Sequence, residues 1–344
     1  MQEIDQRDGD VLNALQAEVP LVSTPFAVLG QQIDMSEKEV IKRTERLKRE
    51  GLLRQISATF DPRALGYRSC LVAARVEPGR IDTAAAVVSA HPGVSQNYRR
   101  NHDFNLWFTI AVSPQSRLGL EKTVEVLGEE AECQAIRLLP TLKLFKNTSE
   151  SGDHGQDSPE PASGSSPAIE LSEREIEVIR LLQKDLPLQP RPFEAWGKTI
   201  NLSGDEILDT TRDFIRRQLL RKYSGIAQKK KPSISATAMG VWVVPDGKIE
   251  DFGAQMLKHR EVSHCYLRPV YEDWPYNVFT TVHGKTVDEC DGVLQTISSQ
   301  TGVQEMRALY PTQEFKRTRV LYFSPSDEVW ESTRLQVAAK SAVS

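Results

Sequence analysis

The stretch HPGVSQNYRRNHDFNLWFTI, residues 91–110, returns further along the chain as HREVSHCYLRPVYEDWPYNVFTTVHG, residues 259–284. So specific an order of Tyr, Arg, Asn and aromatic residues does not occur twice without a common origin, so the chain is two related modules in tandem. The repeat extends outward in both directions. VPLVSTPFAVLG (19–30) matches LPLQPRPFEAWG (186–197), DMSEKEV (34–40) matches NLSGDEI (201–207), and LPTLKLFK (139–146) matches YPTQEFKR (310–317). Each copy spans about 150 residues, an ordinary domain size.

Within each copy a helical segment precedes a mixed one. Val11, Leu12 and Leu15, then Ser36 with Glu39 three residues on, then Val40, Leu47, Leu52 and Leu53 predict a helix-turn-helix with a capped last helix. SATF (57–60) supplies a wing strand, and Ile176, Ile179, Leu182, Ser203, Ile207, Phe214, Leu219 and Leu220 repeat the pattern. The second segment alternates strand and helix as βαββαβ, from YRSCLVAARV to ECQAIRLLPTLKL in copy one and from ISATAMGVWVVP to VQEMRALYPTQEF in copy two. That order predicts a ferredoxin-like four-stranded antiparallel sheet with two helices on one face. The fold class is therefore α+β, a tandem repeat of winged helix-turn-helix plus ferredoxin-like domains. The expected boundaries are 1–62 and 63–146 for copy one, 147–170 for a flexible linker, 171–230 and 231–323 for copy two, and 324–344 for a tail expected to be frayed unless Trp330 and Leu335 dock as a short helix. The linker is rich in Ser, Gly, Pro and acid and includes a solvated His154.

With 344 residues, 39% hydrophobic and 26% charged, the chain has the composition of a globular protein with several cores. No apolar run is long enough to cross a bilayer, and the polar N-terminus is unlike a signal peptide, which leads to the expectation of a cytoplasmic protein. Cys70, Cys133, Cys265 and Cys290 are scattered, so free thiols are expected and no metal site is suggested. A net charge of −4 argues against a nucleic-acid partner. The second helix-turn-helix strengthens this, since Asp205, Glu206, Asp209 and Asp213 crowd the helix that would meet DNA, although Lys38, Lys42, Arg43 and Arg46 in copy one are less discouraging.

Strand alternation sorts the repeated stretch into faces. Val262, His264, Tyr266 and Arg268 are expected to share one face, and Val94, Gln96, Tyr98 and Arg100 its counterpart. A titratable imidazole, a phenol and a guanidinium in one row converge on one surface. Further basic residues lie near the same sheets, among them Arg99, His102, Arg137, Lys143, Lys146, Arg307, Lys316, Arg317 and Arg319, and Trp107, Trp274 and Tyr276 are interleaved with them. A flat, multiply carboxylated ligand suits both sets, with rings on aromatics and carboxylates on arginines. Tyr98, Arg100, His102, Trp107, Arg268, Trp274 and Lys316 are the expected ligand-binding residues. His283 is either part of this site or a structural histidine.

A helix-turn-helix followed by βαββαβ resembles the build of Lrp/AsnC-type regulators. GVSQNYRRNHDFNLWFT in copy one, with VSHCYLRPVYEDWPYNVFT and LYPTQEFKRTR in copy two, resembles more specifically the two subunits of the anaerobic siroheme decarboxylase family, in its fused form. The resemblance implies loss of CO2 from the acetates on rings C and D of siroheme, giving 12,18-didecarboxysiroheme for haem d1 or haem. It implies no added cofactor, because the iron arrives with the siroheme substrate, and an intramolecular pseudo-dimer of the two halves. The family's His-x-Tyr-x-Arg row falls on His264, Tyr266 and Arg268, with His264 and Tyr266 as catalytic residues; in copy one Gln96 departs from the pattern, while Tyr98 and Arg100 match. The competing readings are a DNA-binding regulator and a non-catalytic tetrapyrrole carrier.

Overall fold

The computed structural model describes residues 5–147, 170–227 and 236–341; residues 148–169 of the expected linker, His154 among them, lie outside the described residues. The first copy runs α1 (Gln6–Ala17), α2 (Pro25–Gln32), α3 (Glu37–Arg49), β1 (Leu53–Phe60), β2 (Arg68–Arg75), α4 (Ile81–Ser89), β3 (Val94–Arg100), β4 (Leu106–Val112), α5 (Gly119–Glu130), β5 (Ala135–Leu139) and β6 (Lys143–Asn147). The second runs α6 (Glu173–Leu182), α7 (Pro192–Gly197), α8 (Gly204–Arg216), β7 (Leu220–Ala227), β8 (Ala236–Trp242), α9 (Ile249–Met256), β9 (Val262–Leu267), β10 (Val278–Gly284), α10 (Val287–Thr301), β11 (Met306–Leu309), β12 (Pro311–Arg317) and α11 (Pro325–Ser341).

These elements divide by type rather than by copy. One unit gathers both helix-turn-helix segments, Met1–Gly66 and Ser166–Lys230, together with Leu321–Phe323, which the sequence assigned to the second ferredoxin-like domain. Ser36 and Ser203 cap α3 and α8 as expected, each accepting from the backbone N–H three residues on, and Glu206 closes a full capping box. The wings β1 and β7 pair antiparallel, with Ser57 opposite Ser224. Arg43 and Arg46 of α3 are held by Asp5 and the buried Asp8 at the start of α1, so these two cations are committed to internal ion pairs.

The other unit holds both ferredoxin-like segments and α11. Its two sheets have the orders β12-β3-β4-β2-β5 and β11-β8-β10-β9-β6. Each therefore has the expected four strands and a fifth taken from the other copy. The sequence predicts one long strand over residues 132–144 and another over 303–315. Pro140 and Pro311 prevent this, because a residue without an N–H breaks a ladder. The chain bends at each proline and crosses to the other sheet, where β6 runs antiparallel to β9 and β12 to β3. Phe145 of β6 then lies so close to Gly253 of α9 that a Cβ there would come within 2.1 Å of its ring; only glycine fits under the incoming strand.

Two cores lie between each sheet and its own helices, one around Val72, Ile110 and Leu127, the other around Trp242, Phe252 and Leu294. A third lies between the sheets and contains Ala73, Trp107, Leu139, Val241, Trp274 and Phe279. The tail is not frayed where it is described: α11 places Trp330 in the first of these cores, its ring 4.3 Å from that of His91. The four cysteines are free thiols. No helix among the described residues is long and apolar enough to cross a membrane.

Candidate active site

β3 and β9 carry the row that the sequence singled out, but each contains a kink. Opposite β10, Thr281 faces His264 while the next residue, Val282, faces Val262, so Ser263 is an extra residue. Ile110 and Thr109 of β4 face Val94 and Gln96 in the same way, leaving Ser95 unmatched. Such β-bulges reverse the facing of all that follows. Val94 and Val262 therefore point into the helix-side cores, not along the row as a regular strand would have placed them. Beyond the bulge, Asn97 donates to Ala85 O of α4 and Cys265 enters the core beneath α9. His264, Tyr266 and Arg268, with Gln96, Tyr98 and Arg100, take the opposite face.

In the second half these side chains touch. The His264 and Tyr266 rings are 5.7 Å apart, and the Arg268 guanidinium lies 5.1 Å over Tyr266 and 5.3 Å over Phe279. Arg268 also donates to Leu139 O, at the end of β5, where the chain crosses between sheets. Arg100 mirrors it, donating to Leu309 O at 3.1 Å with its guanidinium 5.8 Å over Trp107. Each arginine is thus steadied by a carbonyl and a ring before any ligand arrives. Tyr98 is half-buried between Trp107 of β4 and Glu314 of β12 in the register of the sheet. Ser263 Oγ lies 2.7 Å from His264 Nδ1 and 2.8 Å from His283 Nε2, and His283 Nδ1 lies 3.1 Å from Thr237 Oγ1.

Arg100 and His102 also line an open cleft of about 520 Å³ with Arg75, Arg99 and, from β12, Thr312 and Gln313; His264 and Tyr266 do not line it. His102 Nδ1 accepts from Phe104 N–H at 3.0 Å, which leaves the proton of the neutral ring on Nε2. Burial lowers the pKa of His102, and Arg307 acts in the same direction against Asp103. The ring stands edge-on to Trp274 at 5.2 Å.

Three expected ligand-binding residues are otherwise engaged. Trp107 and Trp274, 1% and 0% exposed, pack on each other in the core between the sheets, with centroids 5.3 Å apart. They form a foundation beneath His102 rather than a surface for a ligand. Lys316 donates to Ser89 O at 2.7 Å and His91 O at 3.0 Å, at the C-terminal end of α4, where a cation meets the negative end of the helix dipole. Arg75 was missed, although an alignment of the two copies places it opposite Val243 and marks the cationic character as peculiar to copy one. Among the described residues no group of three His, Cys, Asp or Glu side chains is arranged to hold a metal ion.

The AsnC-like ligand binding domain family matches residues 64–146 and 234–316, and the siroheme decarboxylase NirDL-like HTH domain family matches 8–54 and 175–221. The siroheme decarboxylase of Hydrogenobacter thermophilus is 35% identical over 93% of this chain and 96% of its own length. The chain belongs to the siroheme decarboxylase NirDL family. The siroheme decarboxylase NirDL subunit of Paracoccus denitrificans is 31% identical over 91% of this chain and 96% of that one. A crystal structure of the siroheme decarboxylase NirDL, 33% identical, covers 97% of this chain and 100% of its own with a TM-score of 0.77. A second, in co-complex with an iron-uroporphyrin III analogue, covers 96% and 99% with the same TM-score. Two repeats of helix-turn-helix and AsnC-like domain in one chain are thus the NirDL form of the family.

Proposed function

We propose that this chain is a siroheme decarboxylase that removes CO2 from the acetates on rings C and D, giving 12,18-didecarboxysiroheme on a route to haem d1 or haem. The observation that carries the reading is kinship with a siroheme decarboxylase over 93% of the chain, both repeats included. The chemistry suits the side chains available. Loss of CO2 from a pyrrole acetate leaves an electron pair that the macrocycle delocalises, and the methylene carbon then needs one proton. His264 supplies that proton, with Tyr266 beside it. Arg268 and Arg100 orient carboxylates that do not react, since gripping the departing one would stabilise the ground state and slow the step. Arg100 and His102 bring substrate carboxylates into the cleft of the first half, where Arg75 and Arg99 add positive charge.

Anaerobic incubation of the purified protein with siroheme, followed by mass analysis, tests the reading. Loss of two CO2 per macrocycle without added flavin, nucleotide or metal is expected. Binding of siroheme with no loss of mass would leave a carrier instead, and an absolute requirement for a redox cofactor would overturn the mechanism.

A further inference from the structure

Four polar side chains on three strands of the second half form one connected row. Thr237 lies on β8, His283 on β10, and Ser263 and His264 on β9, linked by the three contacts of 3.1, 2.8 and 2.7 Å. We infer that Thr237, His283 and Ser263 form a proton relay that resupplies His264 during decarboxylation. The inference rests on the reading of this chain as a siroheme decarboxylase with His264 as its proton donor.

The contacts admit a consistent direction. A neutral imidazole has one donor and one acceptor nitrogen. With the Thr237 hydroxyl donating to His283 Nδ1, His283 Nε2–H donates to Ser263 Oγ, and the Ser263 hydroxyl donates to His264 Nδ1. The proton of His264 then sits on Nε2, the nitrogen turned away from the relay. Thr281 O lies 3.4 Å from the Ser263 hydroxyl, beyond the usual O–H···O range, so the imidazole is the better of these two partners.

The first half serves as an internal control. Its corresponding residues are Ser69, Ala111, Ser95 and Gln96. Ser95 occupies the same bulge, but with no imidazole on either side its hydroxyl reaches, among the described residues, Thr109 O at 3.5 Å. The serine therefore belongs to the shared fold, and the two histidines are additions of the second half. Core packing does not account for His283, which is exposed and open to protons from bulk water.

The transfers balance. When the C–C bond to the carboxylate breaks, its electron pair stays on the methylene carbon, which takes the proton from His264 Nε2. His264 Nδ1 takes the Ser263 proton, Ser263 Oγ takes the one on His283 Nε2, His283 Nδ1 takes the Thr237 proton, and a solvent proton enters at Thr237 Oγ1. One solvent proton is consumed per CO2 released, and nothing is oxidised or reduced.

Single-turnover decarboxylation of bound siroheme, measured anaerobically beside an absorbance titration of siroheme affinity, tests the relay. His283→Ala and Ser263→Ala are expected to slow the chemical step about tenfold or more, with affinity nearly unchanged. Ser263→Thr, which keeps the hydroxyl, is expected to retain most of the rate, and added imidazole to restore part of it in His283→Ala. A wild-type rate in His283→Ala would overturn the relay, as would a rate loss matched by lost affinity and not rescued by imidazole. Wild-type protein inert toward siroheme would overturn the proposed function, and the relay with it.

Discussion

Lys146 and Lys316 do the same job in opposite directions. Each leaves its own half on an exchanged strand, and its ammonium caps the end of a helix in the other half. Lys316 donates to Ser89 O and His91 O, at and just past the end of α4; Lys146 donates to Met256 O at 3.0 Å and His259 O at 2.5 Å, at and just past the end of α9. Desolvation lowers the pKa of both ammonium groups, yet each meets the last carbonyl of a helix, Ser89 O or Met256 O, which helix formation leaves without a partner, and a second carbonyl, His91 O or His259 O, that also accepts from Val94 or Val262 N–H. The exchange is thus fastened at both crossings.

Lys316→Met and Lys146→Met should each destabilise the protein by about 1.5–3 kcal/mol, the usual range for a lost hydrogen bond to a charged group. Siroheme affinity should stay near the wild-type value. Urea unfolding beside a siroheme titration measures both, and a large loss of affinity in stable Lys316→Met protein would return this lysine to the substrate site.

His264→Ala should reduce the single-turnover rate by about 10²-fold, the scale of a lost general acid, with little change in affinity. Arg268→Ala and Arg100→Ala should chiefly weaken binding, since each removes a carboxylate partner. An unchanged chemical rate in His264→Ala would move proton donation to Tyr266 or to His102 in the cleft.

A protease site inserted within residues 148–169 should give fragments that remain together after cleavage. β6 pairs with β9 and β12 with β3, so separation requires two ladders and the core between the sheets to open at once. Gel filtration of the cut protein reports the result, and two stable, separate halves would contradict the exchange.

Acid should unfold the protein partly through His91. Burial pushes its pKa down to about 3, with Lys316 and Arg334 acting in the same direction, whereas an unfolded histidine titrates near ~6.5. Between these values the unfolded chain binds a proton that the native state does not, so stability falls as pH drops from about 6.5, by at most ~1.4 kcal/mol per pH unit. His91→Asn should be less stable at neutral pH but show a flatter dependence of its urea midpoint between pH 6.5 and 4. Parallel curves for the two proteins would rule His91 out.

The features set by local chemistry were legible in the sequence. Ser36 and Ser203 announced their helices through the acid three residues on, and the hydrophobic periods placed α1, α6 and the strands and helices of the sheets, because caps and periods act over a few neighbours; α2 and α7, short and opened by proline, carry no such period. The strand exchange was not read, since residues 143–147 satisfy the same alternation on either sheet; Pro140 signalled a break in the ladder but not a destination. The bulges at Ser95 and Ser263 were also missed, as neither carries a glycine to mark it, and the error placed Val94 and Val262 on the wrong face. In the site, Tyr266 and Arg268 could be placed beside His264 from alternation alone. The carbonyls that Lys316 meets could not be read, because a lysine that caps a helix distant in sequence looks, in a string of letters, like one that awaits an anion.

The crossing at Pro311 also imposes an order on biosynthesis. β3 is made early, yet its outer edge pairs with β12, the last of the described strands, with Tyr98 opposite Glu314. Until residues 311–317 have left the ribosome, the first half carries an open strand edge able to pair with the wrong neighbour. The nascent first half is thus a natural client for chaperones, and a chain truncated just after Leu309 would retain every residue of the His264 row while leaving that edge bare.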